Sequence, residues 1–382
     1  MNAFEFWNPV RVVFGVGSIA RLRENVPAGP RVLMTYGRGS IKTNGVYAQV
    51  KKALAGRDVI EYGGIESNPR YETLMEAVRL ARRERAGFLL AVGGGSVVDG
   101  TKFIAAAIPF SGDPWDILEK QSPVKEAVAF GCVLTLPATA SEMNVFAVIS
   151  RESTHEKLAF GSPKVFPAFS ILDPSVTFTL PDRQIANGVV DAWIHVCEQY
   201  LTCLTPSTLQ DRQAEAILLT LKEVGPKTLK KPKDLEARSA FMWAATQAHN
   251  GHLSAGVVGD WATHLISHEI TALYGLDHAQ ALSAVLPGLW RHQIRRKGPK
   301  LAQYAARVFG ATGTAAERAK AAIAKTIAFF RSLGMKTRMA EQGIPRSDFG
   351  MFADRMASRG RKIGEYGDYK RKDFIEILDA CD

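Results

Sequence analysis

Residues 91–107 read AVGGGSVVDGTKFIAAA: an apolar run that ends in three glycines, then a serine and a stretch with helical apolar spacing. A buried strand that passes straight into a helix needs a backbone free to turn, and Gly93, Gly94 and Gly95 provide it. The amides that open such a helix suit a diphosphate. Glycines also serve a plain tight turn, and the stretch matches neither GxGxxG nor GxxxxGK[ST]. Its surroundings settle the fold.

On either side lie short β-branched or apolar runs: RVVF (11–14), RVLMTY (31–36), DVIEYG (58–63), GFLLAVG (87–93), GCVLTLP (131–137) and FSILDP (169–174). Between them, VYAQVKKALAG and YETLMEAVRLARRERA carry apolar residues at helical spacing. Strands alternating with helices predict a parallel sheet wrapped by helices. After Thr179 the pattern changes to successive amphipathic helices broken by Gly and Pro. The boundary falls in the stretch 175–181, giving domains 1–178 and 179–382, as expected of a 382-residue chain.

Hydrophobic residues make up 46% and charged residues 23%, the balance of a globular protein. No apolar run reaches the roughly 18–20 residues that span a bilayer. The start, MNAFEFWNPVRVVFG, lacks both a basic segment and a continuous apolar segment, so no signal peptide and a cytoplasmic location are expected. Cys132, Cys197, Cys203 and Cys381 form no CxxC pair, which points to reduced thiols. The net charge of +10 arises from Arg291 onward, where 20 Lys and Arg face 10 Asp and Glu. Those charges are scattered through amphipathic stretches without interleaved aromatics, so a solvated face is expected and nucleic acid is not.

Two further stretches bear on chemistry. TYGRGSIKTNG follows the second strand, and from Arg31 to Arg57 there is not one acidic residue, while Arg38, Ser40 and Lys42 lie just past the strand. Dinucleotide folds place an acid beside an unphosphorylated adenosine ribose and Arg beside a 2′-phosphate, so if this loop meets the ribose the cofactor is NADP(H). The second stretch concerns histidines: six of the eight lie between residues 195 and 278. In GVVDAWIHVCEQYL, Asp191 and His195 share a helix face; in DWATHLISHEITALYGLDH, His264 and His268 do the same, with His278 ten residues on. An aspartate with two or three histidines is ligand chemistry for Fe(II) or Zn(II), and five candidates exceed what one catalytic site needs. HExxH is absent.

GGGSVVDGTKFIA, LPATASE, GVVDAWIHVCEQY and DWATHLISHEITALYGLDHAQALSAVLP together resemble the iron-containing alcohol dehydrogenase family, closest to its butanol-dehydrogenase-like, NADPH-dependent aldehyde reductase branch. The resemblance implies an α/β fold: a Rossmann-like dinucleotide-binding domain followed by an all-α domain, the architecture shared with dehydroquinate synthase. It implies one divalent metal, Fe(II) or Zn(II), held by Asp191, His195, His264 and His278, with His268 as a catalytic neighbour. Gly94, Gly95, Ser96 and Asp99 map to the diphosphate and nicotinamide side, and Thr135, Thr139 and Ser141 to a second cofactor loop. Gly37, Arg38, Gly39 and Ser40 map to the adenosine ribose. The implied activity is reversible hydride transfer between NADPH and an aldehyde whose carbonyl the metal polarises, in a homodimer acting on a small aldehyde or alcohol. The competing readings are a dehydroquinate-synthase-type lyase and a glycerol-dehydrogenase-type polyol oxidation.

Three departures from the family pattern stand out. Ala140 and Met143 occupy a loop often rich in glycine, and Tyr274 stands where another histidine is expected. His249 and His252 occupy apolar positions; they are read as surface histidines, the alternative being that they reshape the substrate pocket.

Overall fold

A computed structural model describes all 382 residues. The chain forms two compact units. One comprises Trp7–Pro181 and Pro232–Thr246; the other comprises Met1–Phe6, Asp182–Lys231 and Gln247–Asp382.

The first unit is built on a parallel six-stranded sheet whose strands coincide with the six apolar runs. They are β1 (Arg11–Phe14), β2 (Val32–Tyr36), β3 (Val59–Tyr62), β4 (Phe88–Gly94), β5 (Phe130–Leu136) and, after a hairpin, β8 (Phe169–Leu172). The order is β1-β8-β5-β4-β2-β3, every pairing parallel. Both faces of the four central strands are covered, which explains why those runs are continuously apolar rather than alternating. Along β2 and β4, Val32, Met34, Tyr36, Phe88, Leu90 and Val92 join one core cluster, while Leu33, Leu89 and Ala91 join another. The helices of eight or more residues in the crossovers are α1 (Val46–Ala53), α2 (Tyr71–Arg83) and α3 (Gly95–Ala107).

Strand order reverses between β2 and β4: β3 lies beyond β2 on one side, β5 and β8 beyond β4 on the other. Ligands of open α/β sheets bind outside the strand carboxyl ends at such a switch point. The segments that follow these two strands are Gly37–Ser40 and Gly95–Asp99. The antiparallel pair β6 (Phe146–Arg151) and β7 (Glu156–Gly161) forms a separate two-stranded sheet.

The other unit is helical: α4 (Asp182–Tyr200), α5 (Thr208–Lys230), α7 (Ala262–Tyr274), α8 (His278–Phe309), α9 (Ala315–Ser332), α10 (Phe349–Ser358) and α11 (Arg371–Asp379). Trp193 anchors one part of its core, its ring 4.6 Å from Phe329 and its indole Nε1 donating to Tyr304 Oη at 3.1 Å. The intervening α6 (Leu235–Gln247) belongs to the α/β unit almost to its end. A single division at residues 178/179 therefore misplaces it. Met242 is buried with Leu134 and Leu172, and Thr246 Oγ1 donates to the buried Glu142 at 2.6 Å. Conversely, the first six residues lie with the helical unit, where Asn2 N donates to Gly256 O and the Phe6 ring is 4.4 Å from His252.

A buried ion cluster holds the helical unit together. Lys297 on α8 is 2% exposed; its Nζ lies 2.6 Å from Asp260 Oδ2 and 3.1 Å from Glu365 Oε1, and donates to Leu201 O at 2.6 Å. Burial lowers the Lys297 pKa, but the two carboxylates outweigh it and hold the pKa above the ordinary lysine value. Asp260 Oδ1 also accepts from Glu365 N, and Glu365 Oε2 from Cys203 N. Removing one member leaves the others as uncompensated buried charge, a loss of about 3–5 kcal/mol. Lys297→Met is expected to lower unfolding stability by that amount in denaturant titration; a loss under about 1 kcal/mol would refute this role.

Candidate functional site

Helix α4 is buried continuously from Ile185 to Tyr200. Arg183, Asn187, Asp191 and His195 recur every fourth residue and so share a face. The first two grip Asp277: Arg183 forms an ion pair with it, and Asn187 Nδ2 donates to its Oδ2 at 2.8 Å. Asp277 immediately precedes α8, so this grip fixes where His278, the first residue of that helix, begins.

Asp191 and His195 are 3% and 7% exposed. His195 Nδ1 is 2.9 Å from Asp191 O and 3.0 Å from Asp191 Oδ1. With the proton on Nδ1 and donated to that carbonyl, the lone pair belongs to Nε2, as a metal ligand requires. Burial pushes the His195 pKa down, but Asp191 more than reverses this and the pKa is raised. His264, in the first turn of α7, has its ring centroid 4.3 Å from that of His195. One donor atom from each of Asp191, His195 and His264 lies within 4.8 Å of the others.

His278 stands next in line, its ring 5.4 Å from His264, and His268 is 5.4 Å from His278. The histidines thus form a row, with Asp191 beside His195. The tight donor group contains three of the four expected ligands, and His278 flanks it through His264. A buried carboxylate with imidazoles at this spacing fits a divalent transition metal.

The start of α7 is held from α4. Glu198 Oε1 accepts from Thr263 N at 3.0 Å and lies 3.8 Å from His264 Nδ1. Asp260 N donates to Glu198 O at 2.8 Å, which connects this turn to the Lys297 cluster. Between them Trp261 takes a left-handed conformation, φ +59°. Its ring is 6.2 Å from His195 and 5.4 Å from His264.

In the α/β unit, a register shift between Gly93 and Gly94 ends the regular pairing of β4 with β5. Helix α3 then starts at Gly95, where a Cβ would run into the Thr139 side chain; a Cβ on Gly93 would strike Val97. These glycines are needed for close approach and not only for turning. Ser96 and the amides of the first turn lie at the helix N-terminus, the feature that suits a diphosphate. One turn on, the Asp99 carboxylate accepts from Ser141 Oγ and from Val148 N, the latter at 2.9 Å. Lys102 is fully buried, and its Nζ donates to Asn144 Oδ1 at 2.9 Å and Phe146 O at 2.7 Å; burial lowers its pKa to about 8. Asp99 and Lys102 thus clamp the loop that carries Thr139 and Ser141, while Thr135 is buried near the end of β5. Ala140 in that loop is buried and left-handed at φ +53°, a conformation glycine takes without strain.

At the end of β2, Gly39 adopts φ +113°, and Arg38 and Ser40 are exposed. Lys42 Nζ lies 5.1 Å from the Tyr36 ring centroid and 5.5 Å from that of Tyr47. One acid does come near. Glu61 on β3 accepts from Tyr47 Oη at 2.9 Å and pairs with Lys51 at 3.0 Å. Burial works to raise its pKa, but these partners outweigh it and lower the pKa.

A family model described as iron-containing alcohol dehydrogenase matches residues 9–174, and one for the C-terminal part of the Fe-containing alcohol dehydrogenase family matches residues 185–381. Over 373 residues the chain is 54% identical to NADPH-dependent aldehyde reductase YqhD of Escherichia coli (strain K12), covering 96% of each chain. The chain belongs to the iron-containing alcohol dehydrogenase family. It is also 42% identical to probable NADH-dependent butanol dehydrogenase 1 of Bacillus subtilis (strain 168), across the whole of both chains. The crystal structure of E. coli K-12 YqhD is similar with a TM-score of 0.98 at 51% identity, covering 100% of this chain and 99% of that one.

Against this family background, three residues read from the sequence take definite places. Tyr274 turns to α10 and its approach, its hydroxyl donating to Asp348 and its ring 5.8 Å from Phe352. His252 is exposed against Phe6, as expected of a surface histidine. His249 is not a surface histidine. Its ring lies 5.0 Å from His195 and 4.7 Å from Trp261, because the turn after α6 is tied to α4. Glu198 was missed, although it sits three residues past His195 and the same face reading reaches it. No helix is long and apolar enough to cross a membrane.

Proposed function

We propose that this chain is a metal-dependent, NADP(H)-using aldehyde reductase and alcohol dehydrogenase. Membership of the family makes it an oxidoreductase acting on CH–OH groups. The observation that carries the reading is the buried group of Asp191, His195 and His264, with His278 beside it.

Asp191, His195, His264 and His278 would hold a divalent cation, Fe(II) or Zn(II), which when bound polarises a carbonyl or alcohol oxygen. A nicotinamide cofactor supplies the hydride. The remaining tasks fall to the chain. Asp191 brings the only formal negative charge among the four donors. His195 is oriented by its bond to the Asp191 carbonyl, so its ring does not have to be arranged when a ligand arrives. His268 is our candidate for exchanging a proton at its imidazole with the alcohol product, through its place beside His278. Trp261 sets an aromatic ring beside His195 and His264, which weakens competition from water and disfavours the phosphorylated substrate of a dehydroquinate-synthase-type lyase.

Gly94, Gly95, Ser96 and Asp99, with Thr135, Thr139 and Ser141, would take the diphosphate and nicotinamide side, and Gly37, Arg38, Gly39 and Ser40 the adenosine ribose. The exposed Arg38 and Lys42, with Glu61 committed to Tyr47 and Lys51, favour the 2′-phosphate of NADP(H). A homodimer is proposed as well: β1 is an edge strand, and Phe14, Val16 and Trp243 are exposed.

Three measurements test these statements. His264→Ala is expected to lose its metal in elemental analysis and to lower NADPH oxidation with aldehydes by roughly two orders of magnitude; a metal-replete, fully active variant would defeat the assignment. Arg38→Glu should reduce the ratio of kcat/KM for NADPH to that for NADH on the order of tenfold, and an unchanged ratio removes Arg38 from the ribose site. Sedimentation of the purified protein should give twice the chain mass; a monomer at micromolar concentration would exclude the dimer.

A further inference from the structure

The row of donor imidazoles has a neighbour that metal binding leaves unexplained. His249 follows α6, and its ring stands 5.0 Å from His195 at 54° and edge-on to Trp261 at 4.7 Å and 84°. His195, His264, Trp261 and His249 therefore form a continuous set of ring contacts. His249 nevertheless stands outside the group whose donor atoms converge within 4.8 Å.

Its position is fixed from both sides. Gln199, 2% exposed and one turn past His195, donates from Nε2 to His195 O at 2.7 Å and to Ala248 O at 2.8 Å. One amide thus joins the backbone of a donor residue to the residue before His249. In the same turn, Asn250 Oδ1 accepts from His252 N at 3.1 Å and Asn250 Nδ2 donates to Gln247 Oε1 at 2.8 Å. On the other side, the backbone of Trp261 follows Asp260, which is held by Glu198, Glu365 and Lys297. An imidazole set on such a rigid mount is a preorganised polar contact rather than a mobile side chain.

We infer that His249 is a specificity-determining residue of this centre, one that hydrogen-bonds an oxygen on the carbon next to the reacting carbonyl. The substrate class it selects is short aldehydes bearing a 2-hydroxyl or 2-oxo group. The inference rests on the reading of the Asp191–His195–His264 group as the reaction centre. An aldehyde whose carbonyl oxygen meets that group carries its neighbouring oxygen one carbon away, on the scale of the separation between adjoining rings. Trp261 lines the same side with hydrocarbon, so His249 adds a ring with both donor and acceptor capacity. A site that hydrogen-bonds a substrate hydroxyl favours that substrate over the isostere that lacks it.

The test compares glycolaldehyde with propanal, which replaces the hydroxyl by a methyl group, using NADPH and metal-replete holoenzyme. In His249→Leu the ratio of kcat/KM for glycolaldehyde to that for propanal should fall about tenfold, chiefly through KM for glycolaldehyde. His249→Gln, which keeps a hydrogen-bonding end, should retain most of the ratio. Metal content by elemental analysis and the unfolding midpoint should match the parent in both variants. An unchanged ratio in His249→Leu overturns the inference, as does an equal fall for both variants; metal loss on either substitution would make His249 a ligand and overturn it too. A parent enzyme that oxidises NADPH with neither aldehyde defeats the proposed function, whereas a parent active on both whose ratio ignores residue 249 defeats this inference alone.

Discussion

Helix α4 has no solvent-facing side from Ile185 to Tyr200, so every polar group on it needs a partner inside the protein. That constraint organises the helical unit. Asn187 satisfies its amide on Asp277 and thereby places the start of α8. Glu198 satisfies one carboxylate oxygen on Thr263 N and thereby places the start of α7. Gln199 satisfies its amide on Ala248 and places the turn that carries His249. Asp191 and His195 meet each other, and they sit where the three placed segments converge. The polar residues of one buried helix thus act as anchors for the other elements, and the donor group is the by-product of satisfying them.

The α/β unit solves a different problem, that of bringing a helix N-terminus and a neighbouring loop close enough to share one ligand. Glycine at position 95 permits contact with Thr139, and the Asp99 and Lys102 side chains then hold the loop from beneath. Ala140 accepts a left-handed backbone because the loop is fastened on both sides of it. Strain of this size, on the order of 1–2 kcal/mol, persists only where the surroundings over-determine the conformation. Asp99 therefore acts on Ser141 and Val148 as a structural clamp within its own unit, in addition to any contact its position at the switch point allows.

How much of this could be read from the sequence depends on how local the cause is. The four central strands of the main sheet were legible because parallel strands covered on both faces must be apolar throughout, and the edge strands β1 and β3 were legible as short β-branched runs. The Asp191–His195 and His264–His268 pairs were legible because helix geometry alone sets a four-residue neighbour. The β6–β7 hairpin was not, since its turn, ESTH (152–155), carries none of the glycine or proline signals that mark such pairs. Helix α6 was assigned by its place in the chain, whereas its packing follows Met242 and Thr246 into the α/β unit. Glu61 and His249 share this origin. Each meets residues of other elements, which only the packing of those elements brings together. His249 was read as exposed because histidine usually is; the bond from Gln199 to Ala248, invisible without the fold, draws it in.

Charge balance supplies the last step. From Asp191 the contacts run through His195 and His264 to Glu198, then by backbone and side chain to Asp260, Glu365 and Lys297. That buried path holds four carboxyl groups and a single ammonium. Lys297 answers Asp260 and Glu365 at one end, 2.6 and 3.1 Å away. Glu198 lies within the electrostatic reach of the same lysine, whereas Asp191, at the other end, faces the imidazole of His195. Buried charges in proteins are paired or they coordinate a metal. The asymmetry of the path, cation at one end and nitrogen donors at the other, is what a divalent ion beside Asp191 would correct, and a lysine placed nearer the imidazoles would repel such an ion.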